Sequence, residues 1–76
     1  LSSNRHQINI ESLINACSNK LKEDPAHKKA LIIRSNSYMK KGQYKEAIDD
    51  AHTLLNIDNR NVEAYYILGC AYDKME

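Results

Sequence analysis

Side chains that could bind a metal ion or move a proton come together at one point of the sequence, at Asp49, Asp50 and His52. Asp49 and His52 are three residues apart, a spacing that puts both on one face of a helix, where they could contact one metal ion. Two ligands do not complete a metal site, so we interpret this cluster as a solvated helix face. We therefore expect no metal site and no cofactor.

Other patterns typical of catalysis are missing from the sequence. It has no Ser-His-Asp order, no glycine-rich phosphate loop and no HExxH motif. Its two cysteines, Cys17 and Cys70, lack the spacing of a CxxC pair, and we interpret them as reduced thiols of an intracellular, cytoplasmic protein. We predict that the chain is not an enzyme.

The overall charge gives no sign of a polyanionic partner. Lys and Arg number 11 and Asp and Glu number 10, which leaves a formal net charge of +1. A nucleic-acid or membrane-surface binder normally carries a larger basic excess. The sequence also lacks a signal-peptide pattern and an apolar run long enough to cross a bilayer. This balance favours a protein or peptide partner.

Apolar residues recur at helical spacing in four segments of the chain. We predict a flexible lead-in over residues 1–9, and we expect Asn9 to be the N-cap of the first helix. The four predicted helices cover residues 10–23, about 26–41, about 44–57, and 62–76.

The breaks between these helices have local causes. Asp24-Pro25 should end the first helix, because the residue before a proline is pushed out of the helical region. Gly42 can adopt the left-handed conformation that ends the second helix, and Asn61 should cap the fourth. The connections are so short that consecutive helices must be antiparallel.

A repeat of 34 residues links these helices. It relates Leu31 to Tyr65 and Ser35 to Gly69, and the same offset joins several further pairs, namely Ile14 and Ile48, Ala30 and Ala64, Tyr38 and Tyr72, Leu21 and Leu55, and Asp24 and Asp58. A fixed period of this length, carried by helix pairs, is typical of a helical solenoid.

These residues resemble the tetratricopeptide repeat (TPR) family over residues 10–76. The resemblance rests on small, large and turn positions that agree jointly, namely Leu31, Ser35, Tyr38, Gly42, Tyr44, Ala47, Ile48, Asp58 and the run 64–72. It implies an all-α fold of about four helices, stacked as a right-handed solenoid. Residues 10–23 would be the second helix of one repeat, 28–61 a complete repeat, and 62–76 the first helix of the next.

The packing roles implied by this resemblance fit the residue types. Ser35, Gly69 and Ala47 would be small where two helices of a pair approach closely, and the tyrosines would fill space between repeats. We expect Tyr38, Tyr44 and Tyr72 to belong to the core.

The chain departs from the family pattern at four positions. Ala51 and Leu54 could exchange volumes within one core, since the family prefers a large aromatic at the first and Ala at the second. Asn59 stands where the family often has Pro. Arg34 stands where it usually has Leu, and we expect this side chain to reach the surface or to form an ion pair with an acidic neighbour.

In such a solenoid the first helix of each pair lines a concave groove. The resemblance therefore implies a set of groove residues on the second and fourth helices, namely Lys29, Ile32, Ile33, Asn36, Lys40, Glu63, Tyr66, Ile67, Cys70 and Asp73. Apolar side chains ringed by charges of both signs suit an extended peptide or a helix, and we expect Tyr66 to be the main anchor. Alternatively, Ile32, Ile33 and Ile67 pack only against neighbouring helices and Tyr66 has no special role.

Two narrower binding modes of helical repeats fit less well. Co-chaperone-like adaptors of this family hold a C-terminal carboxylate with Lys, Asn and Arg; here Lys29 and Asn36 match that set, but Glu63 would repel a carboxylate. The lysines are numerous, and pentatricopeptide repeats read RNA, yet acidic residues interleave with the lysines.

We therefore predict a non-catalytic scaffold that binds a peptide or helix of a protein partner in the groove. Self-association as a homodimer through exposed repeat ends is the alternative, because solenoid repeats cannot bury their faces alone. An RNA-binding helical repeat is a weaker alternative, and we expect neither nucleic acid nor a membrane as a partner.

Overall fold

A computed structural model describes residues 2–76, and it describes side chains from residue 9 onward. It contains four α-helices within these residues: α1 Ser2–Glu23, α2 Lys28–Lys41, α3 Tyr44–Ile57 and α4 Val62–Met75. Leu1, part of the predicted lead-in, lies outside the described residues. The all-α, solenoid-type fold expected from the sequence is thus the fold that the chain adopts.

The first helix is longer than predicted. It begins at Ser2, so Asn9 lies inside the helix and is not its N-cap. The segment before Asn9 contains neither Pro nor Gly. Extending an existing helix costs far less than starting one, because each added residue gains a hydrogen bond. The apolar stripe of α1 can therefore carry the helix back into a polar segment that has no periodicity of its own.

Both ends of α2 are fixed by local hydrogen bonds. His27 is the N-cap, and its Nδ1 accepts a hydrogen bond from the backbone N–H of Ala30 at 3.1 Å. At the other end Gly42 has φ of 78°, and its N–H donates to the carbonyl of Met39. This is the left-handed C-terminal conformation predicted from the sequence, which glycine adopts without the steric cost of a Cβ.

The connection between α3 and α4, residues 58–61, is also held by local hydrogen bonds. The N–H of Asp58 donates to the carbonyl of Leu54 at 2.8 Å, which closes the last turn of α3. The side chain of Asn61 then accepts from the N–H of Ala64 at 2.9 Å. The predicted cap at Asn61 is therefore confirmed, and the bounds of α3 match those predicted.

The helices stack in chain order. α1 packs on α2, α2 on α3, and α3 on α4, while α2 also contacts α4. The Cα atoms fill a slab of 40 × 34 × 16 Å. Since one helix is roughly 10 Å across, this slab is about two helices thick, and every helix keeps a face on the surface.

The core is centred on α3. Ala47, Ala51 and Leu54 are fully buried there, and the same cluster includes Cys17 and Leu21 of α1. Ser35 of α2 is also fully buried, and its Oγ donates to the carbonyl of Ile32 at 3.0 Å. Ala51 and Leu54 share one core, which is the requirement for the exchange of volumes expected from the sequence.

The buried face of α4 differs from the predicted one. We expected Tyr65, Gly69 and Tyr72 to pack together with Ala64; Ala64 is buried, but the residues buried beside it are Ile67 and Ala71. Tyr65 and Tyr72 are each more than half exposed, and a Cβ built at Gly69 would have no atom within 4 Å. α4 contacts helices on one side only, so the stripe that faces away from them is left uncovered.

Candidate functional site

The groove residues predicted on α2 form one stripe on that helix. Lys29, Asn36 and Lys40 are exposed, while Ile32 and Ile33 are half-buried and pack against the core. The side-chain amide of Asn36 donates to the carbonyl of Ile32 at 3.1 Å, which leaves its own side-chain oxygen available as an acceptor. This part of the surface offers a hydrogen-bonding group beside partly exposed aliphatic carbon.

The groove residues predicted on α4 divide between surface and core. Glu63, Tyr66 and Asp73 are exposed, and Cys70 is half-buried. Ile67 is only 2% exposed, which corrects its assignment to the groove surface. It lies three residues after Ala64 and four before Ala71, so all three share the face that packs on the core.

Tyr66 is the most exposed aromatic side chain that the structure describes, at 71%. Interaction with the side chain of Cys70, one turn further along α4, raises the pKa of Tyr66. The ring of Tyr66 projects from the helix with a polar tip. A ring of this kind can contact apolar and polar groups of a partner together.

The two stripes lie on helices that contact each other. α2 and α4 are neighbours, as alternate helices of a solenoid are. Three ion pairs are recorded among residues 9–76, and none of them involves Lys29, Lys40, Glu63 or Asp73. These four charges are therefore free to interact with a partner.

An ion pair that the sequence only partly indicated holds three helices in place. Arg34 Nη2 and Nε donate to the two carboxylate oxygens of Asp50 on α3, at 2.7 and 2.8 Å. Arg34 Nη1 also donates to Ser18 Oγ on α1 at 3.0 Å, and its guanidinium lies 5.6 Å from the centre of the Tyr38 ring. The two planar groups thus pair through two parallel hydrogen bonds, the strongest geometry for such a pair.

The surroundings of Arg34 explain why it can replace an apolar residue. The hydrogen bonds to Asp50 raise the pKa of Arg34 and outweigh the opposing effect of burial. The expectation that Arg34 pairs with an acidic neighbour is confirmed, whereas the identity of that neighbour was missed. The available signal was an arginine at an apolar position of α2, which requires a carboxylate on a helix that packs beside it.

Because Asp50 pairs with Arg34, the three side chains Asp49, Asp50 and His52 of α3 lie in different environments. Asp50 is buried against Arg34, whereas Asp49 and His52 are exposed. Among residues 9–76, the structure holds no group of three or more His, Cys, Asp or Glu side chains placed to bind a metal ion. No helix that the structure describes is both long enough and apolar enough to cross a membrane.

A second surface feature lies away from the groove, on the outer side of α1. It is an open depression of about 510 Å³. It is lined by Asn9, Ser12, Leu13 and Ala16. Leu13 is 46% exposed there, while Ile10, Ile14, Cys17 and Leu21 face the core.

Comparison with known families assigns this arrangement of helices. A family model described as a TPR repeat matches residues 36–75, which is more than half of the chain. The chain belongs to the TPR family. The matched segment runs from the middle of α2 through α3 to the end of α4, so it includes all of the α4 stripe but only Asn36 and Lys40 of the α2 stripe. No curated protein matches the chain.

TPR repeats generally mediate protein–protein interactions and are typically non-catalytic scaffolds. In this chain, the α2 and α4 stripes combine exposed aromatic, amide and charged groups on adjacent helices. Such a surface can contact a partner through a central ring and a polar rim.

Proposed function

We propose that this chain is a non-catalytic protein-interaction scaffold that binds a peptide or helix of a partner across α2 and α4. The contact surface consists of nine of the predicted groove residues, Lys29, Ile32, Ile33, Asn36, Lys40, Glu63, Tyr66, Cys70 and Asp73. Ile67 supports this surface from the core and does not contact the partner.

The observation that carries this proposal is the position and exposure of Tyr66. A tyrosine that is 71% exposed on a packed helix leaves a large apolar ring in water. Tyrosine is enriched among the side chains that contribute most to binding, because its ring buries much area while ordering few torsions. Tyr66 can therefore act as the anchor of the bound segment.

The groups around Tyr66 support the same interpretation. Ile32 on α2 adds partly exposed aliphatic surface, and the side-chain oxygen of Asn36 can accept a hydrogen bond from the backbone of a bound peptide. Lys29 and Lys40 lie on the α2 side, and Glu63 and Asp73 lie on the α4 side. Charges at a rim contribute to the rate and register of association more than to affinity.

The charge distribution also argues against one class of peptide. A clamp for a C-terminal carboxylate needs several converging positive or amide donors. Glu63 is exposed beside the anchor, and buried Ile67 cannot supply a polar group. We propose that the bound segment is internal to its protein. Cys17 and Cys70 are both free thiols, which supports an intracellular, cytoplasmic location.

The proposal can be tested with peptides selected from a displayed library on the immobilised chain. Affinities of the selected peptides are then measured for the original chain, for Tyr66→Ala and for Tyr72→Ala. Tyr72 is the matched control, because it is also an exposed tyrosine on α4 but lies on a different face of that helix. Circular dichroism checks that both variants keep the helical fold.

We expect Tyr66→Ala to weaken binding by roughly thirtyfold, since truncating an anchoring tyrosine costs about 2 kcal/mol. Tyr72→Ala should change the affinity by less than about threefold. Selected peptides that bind Tyr66→Ala as tightly as the original chain would refute the groove. Loss of helical structure in Tyr66→Ala would instead assign Tyr66 to the core.

A further inference from the structure

The starts of α2, α3 and α4 differ in the side chain that caps them. Asn61 caps α4 by accepting a hydrogen bond from the N–H of Ala64, and Gln43, before α3, makes no side-chain cap bond. His27 lies 34 residues before Asn61 and caps α2 in the same way, through the N–H of Ala30. Of these three capping positions, only His27 carries a group that gains a proton between about pH 5 and 8.

This cap requires a neutral imidazole. Nδ1 of His27 accepts a hydrogen bond from the N–H of Ala30 at 3.1 Å, so the ring must carry its single proton on Nε2. A protonated ring has an N–H on both nitrogens and no lone pair with which to accept a hydrogen bond. Protonation therefore removes the acceptor and leaves the N–H of Ala30 facing another N–H group.

The first turn of α2 carries only positive charge. Lys28 and Lys29 are its first two residues, and the turn, residues 28–31, contains no acidic side chain. The first turns of α3 and α4, in contrast, contain Glu46 and Glu63. Because the N-terminus of a helix carries a partial positive charge, a carboxylate there is stabilising and a cation is destabilising. A protonated His27 would add a third cation to this helix end.

The carboxylates beside the start of α2 already have partners. Asp24 Oδ1 accepts a hydrogen bond from the backbone N–H two residues ahead, at 3.3 Å. Asp58 Oδ1 accepts in the same way at 3.2 Å, and its Oδ2 lies 3.8 Å from Nζ of Lys28. Within residues 9–76, neither carboxylate forms a hydrogen bond or an ion pair with the His27 side chain. The other charged groups on the neighbouring helix ends are Lys20, Lys22 and Glu23 in the last turn of α1, and Arg60 and Glu63 at the start of α4.

We propose that His27 makes the start of α2 sensitive to acid. Neutral His27 holds the first turn and protonated His27 releases it, so the free energy of unfolding falls as the pH falls through the range in which the imidazole gains its proton. Ala30 and Leu31 lie on this turn and are 4% and 2% exposed, so losing the cap also weakens the core. The effect does not depend on the proposed peptide binding, although Lys29 of that surface lies on the same turn.

Urea unfolding of the 76-residue chain at about pH 8 and about pH 5.5 tests the proposal. The original chain is compared with His27→Asn, which keeps a cap that cannot gain a proton, as Asn61 does at the equivalent position of α4. His27→Ala removes the cap at both pH values. His52→Asn is the matched control, because it removes an exposed histidine from α3 and leaves the cap in place.

Between the higher and the lower pH, the unfolding equilibrium constant of the original chain should rise about fivefold more than that of His27→Asn, which is the usual effect of losing one N-cap. His52→Asn should show the same rise as the original chain. His27→Ala should unfold about fivefold more readily than the original at the higher pH and about equally at the lower pH. An equal rise in the original chain and in His27→Asn would overturn the proposal, and so would a rise that disappears in His52→Asn.

NMR of the imidazole nitrogens tests the geometry of the cap directly. At about pH 8 the His27 ring should be the Nε2–H tautomer, because its Nδ1 accepts from Ala30. As the pH is lowered, the amide signal of Ala30 should shift together with the protonation of His27, whereas the amide of Ala64, which Asn61 caps, should not follow it. An Nδ1–H tautomer at the higher pH, or an Ala30 signal that does not follow the titration, would overturn the proposal.

Discussion

Replacing Arg34 by methionine should destabilise the chain strongly, because it leaves Asp50 buried without its partner. The carboxylate of Asp50 accepts two hydrogen bonds from Arg34, and the Asp50 side chain is only 6% exposed. Methionine has a similar length and no charge, so packing is largely kept while both hydrogen bonds are lost. The variant therefore isolates the electrostatic role of Arg34 from its volume.

The size of the effect follows from the burial of the two groups. Removing one member of a fully buried ion pair costs about 3 to 5 kcal/mol, and the 23% exposure of the Arg34 side chain reduces this range. We expect a loss of about 2 to 4 kcal/mol in the free energy of unfolding, which lowers the Tm by roughly 10 to 25 °C in a chain of this size. Asp50→Asn should cost less, since Arg34 can then turn towards water.

Urea unfolding followed by circular dichroism measures these free energies. The double variant Arg34→Met/Asp50→Leu serves as the control, because it removes both charges and fills the space with apolar groups. It should recover most of the stability lost in Arg34→Met, as exchanging a buried pair for apolar residues is often neutral. An Arg34→Met chain within about 0.5 kcal/mol of the original would refute the structural role assigned to this pair.

Two further predictions concern the glycines and the buried thiol. Gly42→Ala should lower the free energy of unfolding by about 1 kcal/mol, because alanine is strained at φ of 78°. Gly69→Ala, in the middle of α4, should instead raise the free energy of unfolding by up to about 1 kcal/mol. Thermal unfolding at low protein concentration measures both variants, and a change of the same sign in the two would contradict the reasoning. Burial raises the pKa of the Cys17 thiol above its usual value of 9.0, so the unfolded chain ionises this thiol first and the free energy of unfolding should fall as the pH rises above about 9. Urea unfolding of Cys17→Ala should show a smaller fall, and an equal fall would exclude this cause.

The ends of the helices could largely be predicted from the sequence because short-range hydrogen bonds fix them. Gly42 and Asn61 act within one turn of the residues that they cap, so their roles follow from residue type and position. The start of α1 could not be predicted in the same way. Its first residues contain no Pro or Gly that would stop a helix, and the helix continues from a part that packs on α2.

By itself, the sequence determined the number of helices, their order and the family, since these depend on apolar periodicity and on a 34-residue repeat. Tertiary structure decided which side of each helix is buried. α4 has two apolar stripes, one with Ile67 and one with Tyr65, and periodicity cannot rank them. Only the stripe that meets α2 and α3 is covered, because burial depends on the helices that surround α4. For the same reason, only the packed structure could pair Arg34 with Asp50, which lies on another helix, 16 residues away.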